Sequence, residues 1–125
     1  MRAARDEILR RVGAWLGSKD FVRVGAGHFT RTRGDFVCHV GFQKLTSGRA
    51  VRVMCHITRG DDAANPISGP RSDAYERPNS PNNRKYHFGW STRETDIARC
   101  VEAYCGYLDE VVLAWFNQQT TRTEA

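Results

Sequence analysis

The chain has 125 residues and a mass of 14.2 kDa, which is the size of one domain and excludes a large multidomain enzyme. Apolar residues make up 40% of the chain and charged residues 26%, a balance that excludes a fully disordered chain and a membrane protein. The formal net charge is +5. A basic excess favours an acidic partner, such as a nucleic acid, an anionic surface or an acidic protein.

The charge is unevenly distributed along the chain. Residues 1–60 carry 12 Lys and Arg against 4 Asp and Glu, a balance of +8. Residues 61–125 carry 7 against 10, a balance of −3. The molecule is therefore expected to be electrically polarised, with its positive charge in the first half.

The first predicted element is a helix over residues 3–17, where apolar side chains recur at helical spacing from Ala4 to Leu16. Gly17 and the polar residues after it predict the end of the helix. This charged start lacks the apolar run and the cleavage site of a secretory signal. No stretch approaches the roughly 18 apolar residues of a membrane span. The sequence therefore predicts a cytoplasmic protein without a membrane partner.

Three strands are predicted next, because apolar and polar residues alternate and short turns separate the alternating runs. The strands are placed at residues 21–31, 35–44 and 50–58. Neighbours joined by hairpins imply an antiparallel sheet. If Arg33-Gly34 is the centre of the first turn, Phe29 lies beside Cys38 on one face of that sheet.

The second hairpin makes a specific prediction of register. With its turn at residues 45–48, the paired residues are Phe42 with Val51, Val40 with Val53, Cys38 with Cys55, and Phe36 with Ile57. All of them are apolar, so one face of the sheet is predicted to be buried. Cys38 and Cys55 are then neighbours in the core, where reduced thiols are favoured over a disulfide because the protein is expected in the cytoplasm.

The remainder of the chain predicts a loop, a strand and a helix. Residues 59–83 hold all four prolines and predict a long loop. Residues 84–90 alternate again and predict a fourth strand. Ser91 and Glu94 resemble a capping box that begins a helix over residues 93–118. A frayed tail is expected at 119–125.

This layout predicts an α+β fold in a single domain over residues 1–125. We expect a two-layer sandwich, in which the N- and C-terminal helices pack on one face of a four-stranded antiparallel sheet. The other face of the sheet is then open and carries all four histidines of the chain. We call it the open face. The residues predicted to bind a partner there are His28, His39, Gln43, Arg52, His56, Lys85 and His87.

The histidines allow three interpretations. In the predicted register, His28 and Met54 face His39, and His56 lies diagonal to it. A polar, partly basic binding platform is favoured. A metal site and acid–base catalysis by a histidine pair are the alternatives, although no carboxylate or third catalytic group is placed with the rings. The motifs of common nucleotide- and metal-dependent enzymes are absent, so no cofactor, metal or catalytic residue is predicted.

Nucleic-acid binding is a further alternative. The strand aromatics predicted on the buried face are Phe29, Phe36, Phe42, Phe88 and Trp90. The open face therefore lacks rings that could stack on bases. Binding would depend on phosphate contacts from residues such as Arg31, Arg52 and Lys85.

Short motifs along the strands suggest a relative. They are Asp20-Phe21-Val22-Arg23, His28-Phe29-Thr30-Arg31, Asp35-Phe36-Val37 and Val40-Gly41-Phe42-Gln43-Lys44. This pattern resembles a bacterial family known only as domain of unknown function four thousand three hundred and four. Like that family, the chain opens with a helix and closes with a Trp-containing strand and a long helix. It departs from the family at Val53-Met54-Cys55-His56, where an Asn-rich strand is usual.

The resemblance implies no activity and no catalytic residues, because none is established for the family. By analogy, small single-domain proteins of this type are often immunity or accessory proteins of bacterial toxins. The leading hypothesis is a small cytosolic, non-enzymatic binding domain that acts on a protein partner. The alternatives are a nucleic-acid-binding module and a small histidine-based hydrolase or nuclease. The oligomeric state is left open.

Overall fold

The computed structural model describes residues 2–44, 51–60, 62–72 and 92–124. Its N-terminal elements are α1 (Arg2–Ser18), β1 (Val22–Gly25), β2 (His28–Arg33), β3 (Phe36–Lys44), β4 (Val51–Arg59) and β5 (Asp62–Ser68). A C-terminal helix follows, made of α2 (Glu94–Tyr107), a π-helical segment (Leu108–Leu113) and α3 (Ala114–Glu124). The predicted α+β class, with an antiparallel sheet and helices at both ends, is confirmed. No described helix is both long and apolar enough to cross a membrane.

Within the residues that the structure describes, the sheet has five strands in the order β1-β2-β3-β4-β5, so the prediction of four strands was wrong. The predicted first strand is divided by a turn at Ala26-Gly27, where Gly27 adopts a φ of 65°. Strand β5 lies inside the predicted loop at 59–83. Its Pro66 is tolerated because β5 is an edge strand and the proline lies where the pairing with β4 is irregular. The predicted strand at 84–90 lies outside the described residues.

The hairpin between β2 and β3 turns one position later than predicted. Arg33 pairs with Phe36, so the loop is Gly34-Asp35, with Gly34 at a φ of 59°. A two-residue hairpin loop needs a positive φ at its first position, and glycine adopts it without strain. Centring the turn on Arg33 would have imposed that conformation on an arginine.

The register between β3 and β4 differs from the predicted one by two residues. Phe42 pairs with Val53, and Cys38 pairs with Ile57. The connection from Lys44 to Val51 is therefore longer than the predicted turn. A shift of two residues leaves every side chain on its predicted face, because the side-chain period of a strand is two. Cys38 and Cys55 are thus on one face but not directly opposite, and both are free thiols.

One buried cluster joins both terminal helices to one face of the sheet, which we call the core face. Its strand members are Phe29, Phe36, Cys38, Val40, Val51, Val53, Cys55 and Ile57, and helix α1 contributes Ala4, Ile8, Val12 and Leu16. The C-terminal helix contributes residues from Ile97 to Phe116. A buried hydrogen bond also links the layers, since the Tyr104 hydroxyl donates to the Val51 carbonyl at 2.8 Å. This packing is what the predicted sandwich requires.

The C-terminal helix begins differently from the prediction. Its N-cap is Arg93, whose side chain makes no capping hydrogen bond, and the predicted cap Ser91 lies outside the described residues. Glu94 instead pairs with Arg11 of α1 at 2.7 Å, so it links the two helices. The helix runs to Glu124, beyond the predicted end at 118. Its π-helical segment buries Leu108, Val112 and Leu113, so the apolar stripe of the helix continues through it.

Candidate functional site

The open face is made of the side chains that alternate with those of the core face. The pairing of β2, β3 and β4 places His28, Thr30, His39, Gly41, Gln43, Arg52, Met54, His56 and Thr58 on it. All of them are half-buried or exposed, and none belongs to the buried cluster. Five of the residues predicted to bind a partner are thus on one surface. The other two, Lys85 and His87, lie outside the described residues.

Three histidines form a continuous row across β2, β3 and β4, which we call the histidine row. The His39 and His56 rings are directly opposite and stack at 4.2 Å with an interplanar angle of 7°. The His28 and His39 rings lie 5.2 Å apart. The predicted order was wrong, because the shift of two residues puts His56 opposite His39 and makes His28 the diagonal neighbour.

Both nitrogens of the central ring are engaged. His39 Nδ1 is 3.0 Å from Nε2 of His28, and His39 Nε2 is 2.9 Å from the Thr58 hydroxyl oxygen. A neutral imidazole has one N–H donor and one acceptor nitrogen. It can therefore satisfy both contacts at once, with the hydroxyl rotating to match. Thr58 was missed in the sequence, although its position two residues after His56 places it on the same face.

Two rings of the row, His39 and His56, are held in their uncharged form. The pKa of His39 is lowered to about 4, chiefly by burial and in addition by the adjacent His56 and His28 rings, because a like charge would be repelled. Burial, aided by His28, also lowers the pKa of His56. At neutral pH these two rings therefore present a neutral, stacked surface and add no positive charge to the open face.

Exposed apolar side chains border the histidine row. Val22 pairs with Thr30, so it lies on the open face, and 64% of its surface is exposed. Val24 of the same edge strand is 56% exposed, and Met54 is 38% exposed. Neither Val22 nor Val24 is among the residues predicted from the sequence to bind a partner. If Gly25-Ala26-Gly27 is interpreted as a turn that ends an edge strand, Val22 and Val24 are predicted to lie in that strand.

Charge on the open face is sparse. Arg52 is the cation that β4 places there, and its guanidinium donates to the Gln43 side chain at 3.5 Å. The described strands β1 to β4 contain no Asp or Glu. Arg31, predicted as a phosphate ligand, pairs with Cys38 on the core face and is only 8% exposed. Its guanidinium packs over Phe21 and donates to the Lys19 carbonyl.

A cavity of about 440 Å³ adjoins one end of the row at the β5 edge. Met54, His56, Pro66 and Arg71 are among the residues that line it. It is large enough to receive one side chain of another molecule. The histidine row therefore ends in a recess and is not a flat surface throughout.

The arrangement of the rings does not create a metal centre. Within the described residues, no group of three or more His, Cys, Asp or Glu side chains is placed to hold a metal ion. The rings of His39 and His56 are parallel, so their nitrogens do not converge on one point. The described site is thus a pair of stacked imidazole rings, and threonine hydroxyls, Met54 and Arg52 lie around it.

Comparison with known proteins identifies no relative. No family model matches the chain, and neither a curated protein nor a solved structure matches it. The resemblance stated above stays a prediction, and the function must be inferred from the site itself.

Proposed function

We propose that the protein is a small, non-enzymatic domain that binds a protein partner through its open sheet face in the cytoplasm. The observation that carries the proposal is the exposure of Val22 and Met54 beside the neutral, stacked rings of His39 and His56. Large exposed apolar side chains gathered on one surface are typical of interaction sites.

The composition of the open face fits a protein interface. Cores of such interfaces are enriched in aromatic residues, Met and Arg and depleted in carboxylates. The described open face has stacked imidazoles, Met54 and Arg52, without a carboxylate. The recess beside His56 can accept an anchoring side chain, and interface energy is usually concentrated in such pockets.

The same surface is less suited to nucleic acid. Affinity for nucleic acid depends largely on cations that contact phosphates. The low pKa of His39 keeps that ring neutral at physiological pH, and Arg31 is buried on the core face. Among the described residues chosen for phosphate contact, Arg52 alone is on the open face.

The specific form that we propose is an immunity or accessory protein for a bacterial toxin. It is supported by the analogy with small single-domain immunity proteins, and the net charge of +5 suits a partner of acidic character. Reversible neutralisation of a toxin requires binding and no chemical reaction. A surface suited to protein contacts agrees with that role.

A histidine-based hydrolase is the second candidate, and one observation favours it. The Thr58 hydroxyl, His39 and His28 form a hydrogen-bonded chain that has the order of nucleophile, base and orienting group. A base with a pKa of about 4 is weak at neutral pH, and an efficient general base has a pKa near the working pH. The binding function is therefore preferred.

The test compares capture of a partner by matched variants. Tagged wild-type protein, Val22→Asp, Met54→Asp and Ala14→Asp are each mixed with an extract of the native host, with and without nuclease treatment. Ala14 is exposed on α1, away from the open face, so Ala14→Asp controls for the added charge. The captured protein is then purified, and its affinity for each variant is measured by calorimetry.

We expect the wild type and Ala14→Asp to bind the purified partner equally, and both open-face variants to bind at least about tenfold more weakly, as for central interface residues. Equal affinity of all four proteins would contradict the proposal. Capture that disappears after nuclease treatment would favour nucleic acid. Ester hydrolysis that is lost in Thr58→Val would favour the second candidate.

A further inference from the structure

A second cavity lies on the opposite side of the sheet, between α1 and the hairpin of β1 and β2. Its volume is about 590 Å³, within the range of roughly 300 to 1,000 Å³ typical of small-molecule sites. Its floor includes Phe29 and Phe42, which lie on the core face because they pair with Val40 and Val53. The cavity is therefore separate from the histidine row.

The walls of this cavity differ in shape. On the sheet side, the Phe29 and Phe42 rings meet edge to face, with centroids 6.0 Å apart and planes at 90°. On the helix side, Gly13 and Gly17 present backbone without side chains. The Phe29 ring lies so close to Gly13 that a Cβ there would be 3.0 Å from it, whereas a Cβ on Gly17 would have no atom within 4 Å. The free space is therefore beside Gly17, and it suits a planar apolar group.

The charge at the rim is positive once the internal ion pairs are taken into account. Arg10 is held by two hydrogen bonds to the Glu7 carboxylate. Asp6 lies 4.0 Å from Arg5. Arg10 is therefore paired internally, whereas Asp6 is exposed and only at the limit of an ion pair.

Arg23 is different. Its Nε donates to the Gly25 carbonyl at 3.2 Å, which orients the side chain across its own hairpin. Within the described residues no carboxylate pairs with its guanidinium. An arginine fork binds a carboxylate through two parallel hydrogen bonds, which gives geometric specificity as well as affinity.

We propose that this cavity binds a small aromatic carboxylate. The ring of the ligand lies between the glycine backbone of α1 and the Phe29 and Phe42 rings, and its carboxylate pairs with Arg23. The stacked ring gains the burial and the edge contacts that aromatic pairs prefer. This site is independent of the proposed partner surface, so either proposal can fail without the other.

The first test uses naphthoate as the probe and the amide resonances of the intact protein as the readout. We expect titration with naphthoate to shift the amides of Gly13, Gly17 and Gly27. A Cβ on Gly17 has no atom within 4 Å, so Gly17→Leu should extend into the free space and keep the fold, while the affinity falls at least about tenfold, the effect of losing a buried apolar contact. Ala14→Leu, on the exposed side of the same helix, should bind like the wild type.

The second test separates charge from shape with a matched pair of probes. Arg23→Gln should weaken naphthoate by about tenfold, the usual effect of losing a charge-assisted hydrogen bond, and leave neutral naphthamide unchanged. Arg33→Gln, an exposed arginine of the same hairpin region, should change neither. The proposal is overturned if naphthoate shifts no amide at millimolar concentration, if the shifts map to the histidine row, or if Gly17→Leu binds as tightly as the wild type.

Discussion

The two faces of the sheet are built from the same strands, yet they depend to different degrees on the register in which those strands pair. On the core face, Cys38, Val40 and Val53 are fully buried, and any apolar neighbour of suitable size supports packing. On the open face, the contact between His39 and His56 exists only in one register. Burial thus depends on which face a residue occupies, whereas the histidine row depends on which residue lies opposite it.

The largest expected effect distinguishes the faces through two adjacent residues of β4. Ile57 is 1% exposed on the core face, and Thr58 is half-buried on the open face. Ile57→Ala should lower the free energy of unfolding by about 2–5 kcal/mol because it leaves a cavity. Thr58→Ala should lower it by less than about 1 kcal/mol. Urea unfolding measures both, and similar losses would show that the open face is also part of the core.

A smaller effect is expected where the helix layer is hydrogen-bonded to the sheet. The Tyr104 hydroxyl donates to the Val51 carbonyl and accepts from the Val51 amide at 3.2 Å. Tyr104→Phe keeps the ring but leaves those buried backbone groups without this partner. The free energy of unfolding should fall by about 1–3 kcal/mol, with faster exchange of the Val51 amide proton. An unchanged exchange rate would mean that another group replaces the hydroxyl.

Acidification should affect the open face before the core face. The folded-state pKa of His39 is about 4, against an ordinary value of 6.5, so the unfolded chain takes up its proton first as the pH falls. The stabilising contribution is complete above about 6.5 and is lost between 6.5 and 4. Because the ring is half-exposed, the loss should be about 1 kcal/mol.

The measurement compares wild-type protein with His39→Gln across that window. The variant should lose less stability than the wild type between pH 6.5 and 4.5, since it has no ring to protonate there. Glu7, whose pKa is lowered to about 2 by hydrogen bonds from Arg10 and Arg11, is common to both proteins and loses its contribution at lower pH. Parallel curves for the two proteins would contradict a depressed pKa at His39.

The smallest effect concerns two glycines of α1, on the core side of the sheet. Gly17→Ala should raise the free energy of unfolding by about 0.5–1 kcal/mol, because alanine favours the helix and its Cβ meets no atom. Gly13→Ala should gain less or nothing, since its Cβ would be 3.0 Å from the Phe29 ring. Thermal unfolding compares the pair, and equal gains would mean that Phe29 moves freely away from the helix.

Much of the fold could be predicted because local patterns agree with the tertiary structure. The apolar spacing of α1 and the alternation of β3 and β4 placed those elements within a residue or two of their bounds. Strand β5 was missed because Pro66 and its polar neighbours favour a loop, and only pairing with the exposed edge of β4 makes the segment a strand. The hairpin loop at Gly34-Asp35 was predicted one position too early, because its first residue, which needs a positive φ, was taken to be Arg33 and not Gly34.

The alternation of side chains along each strand is enough to predict which residues share a face. His28, His39 and His56 were assigned to one surface, since the period of two along a strand survives any shift of register by two residues. Tertiary structure alone decided that His56, and not His28, faces His39 and that the Thr58 hydroxyl completes the chain of contacts. The same packing buries Arg31 against Phe21 and leaves free space beside Gly17. Those outcomes depend on absolute register and on the distance between layers, which are set by long-range packing and not by any local run of residues.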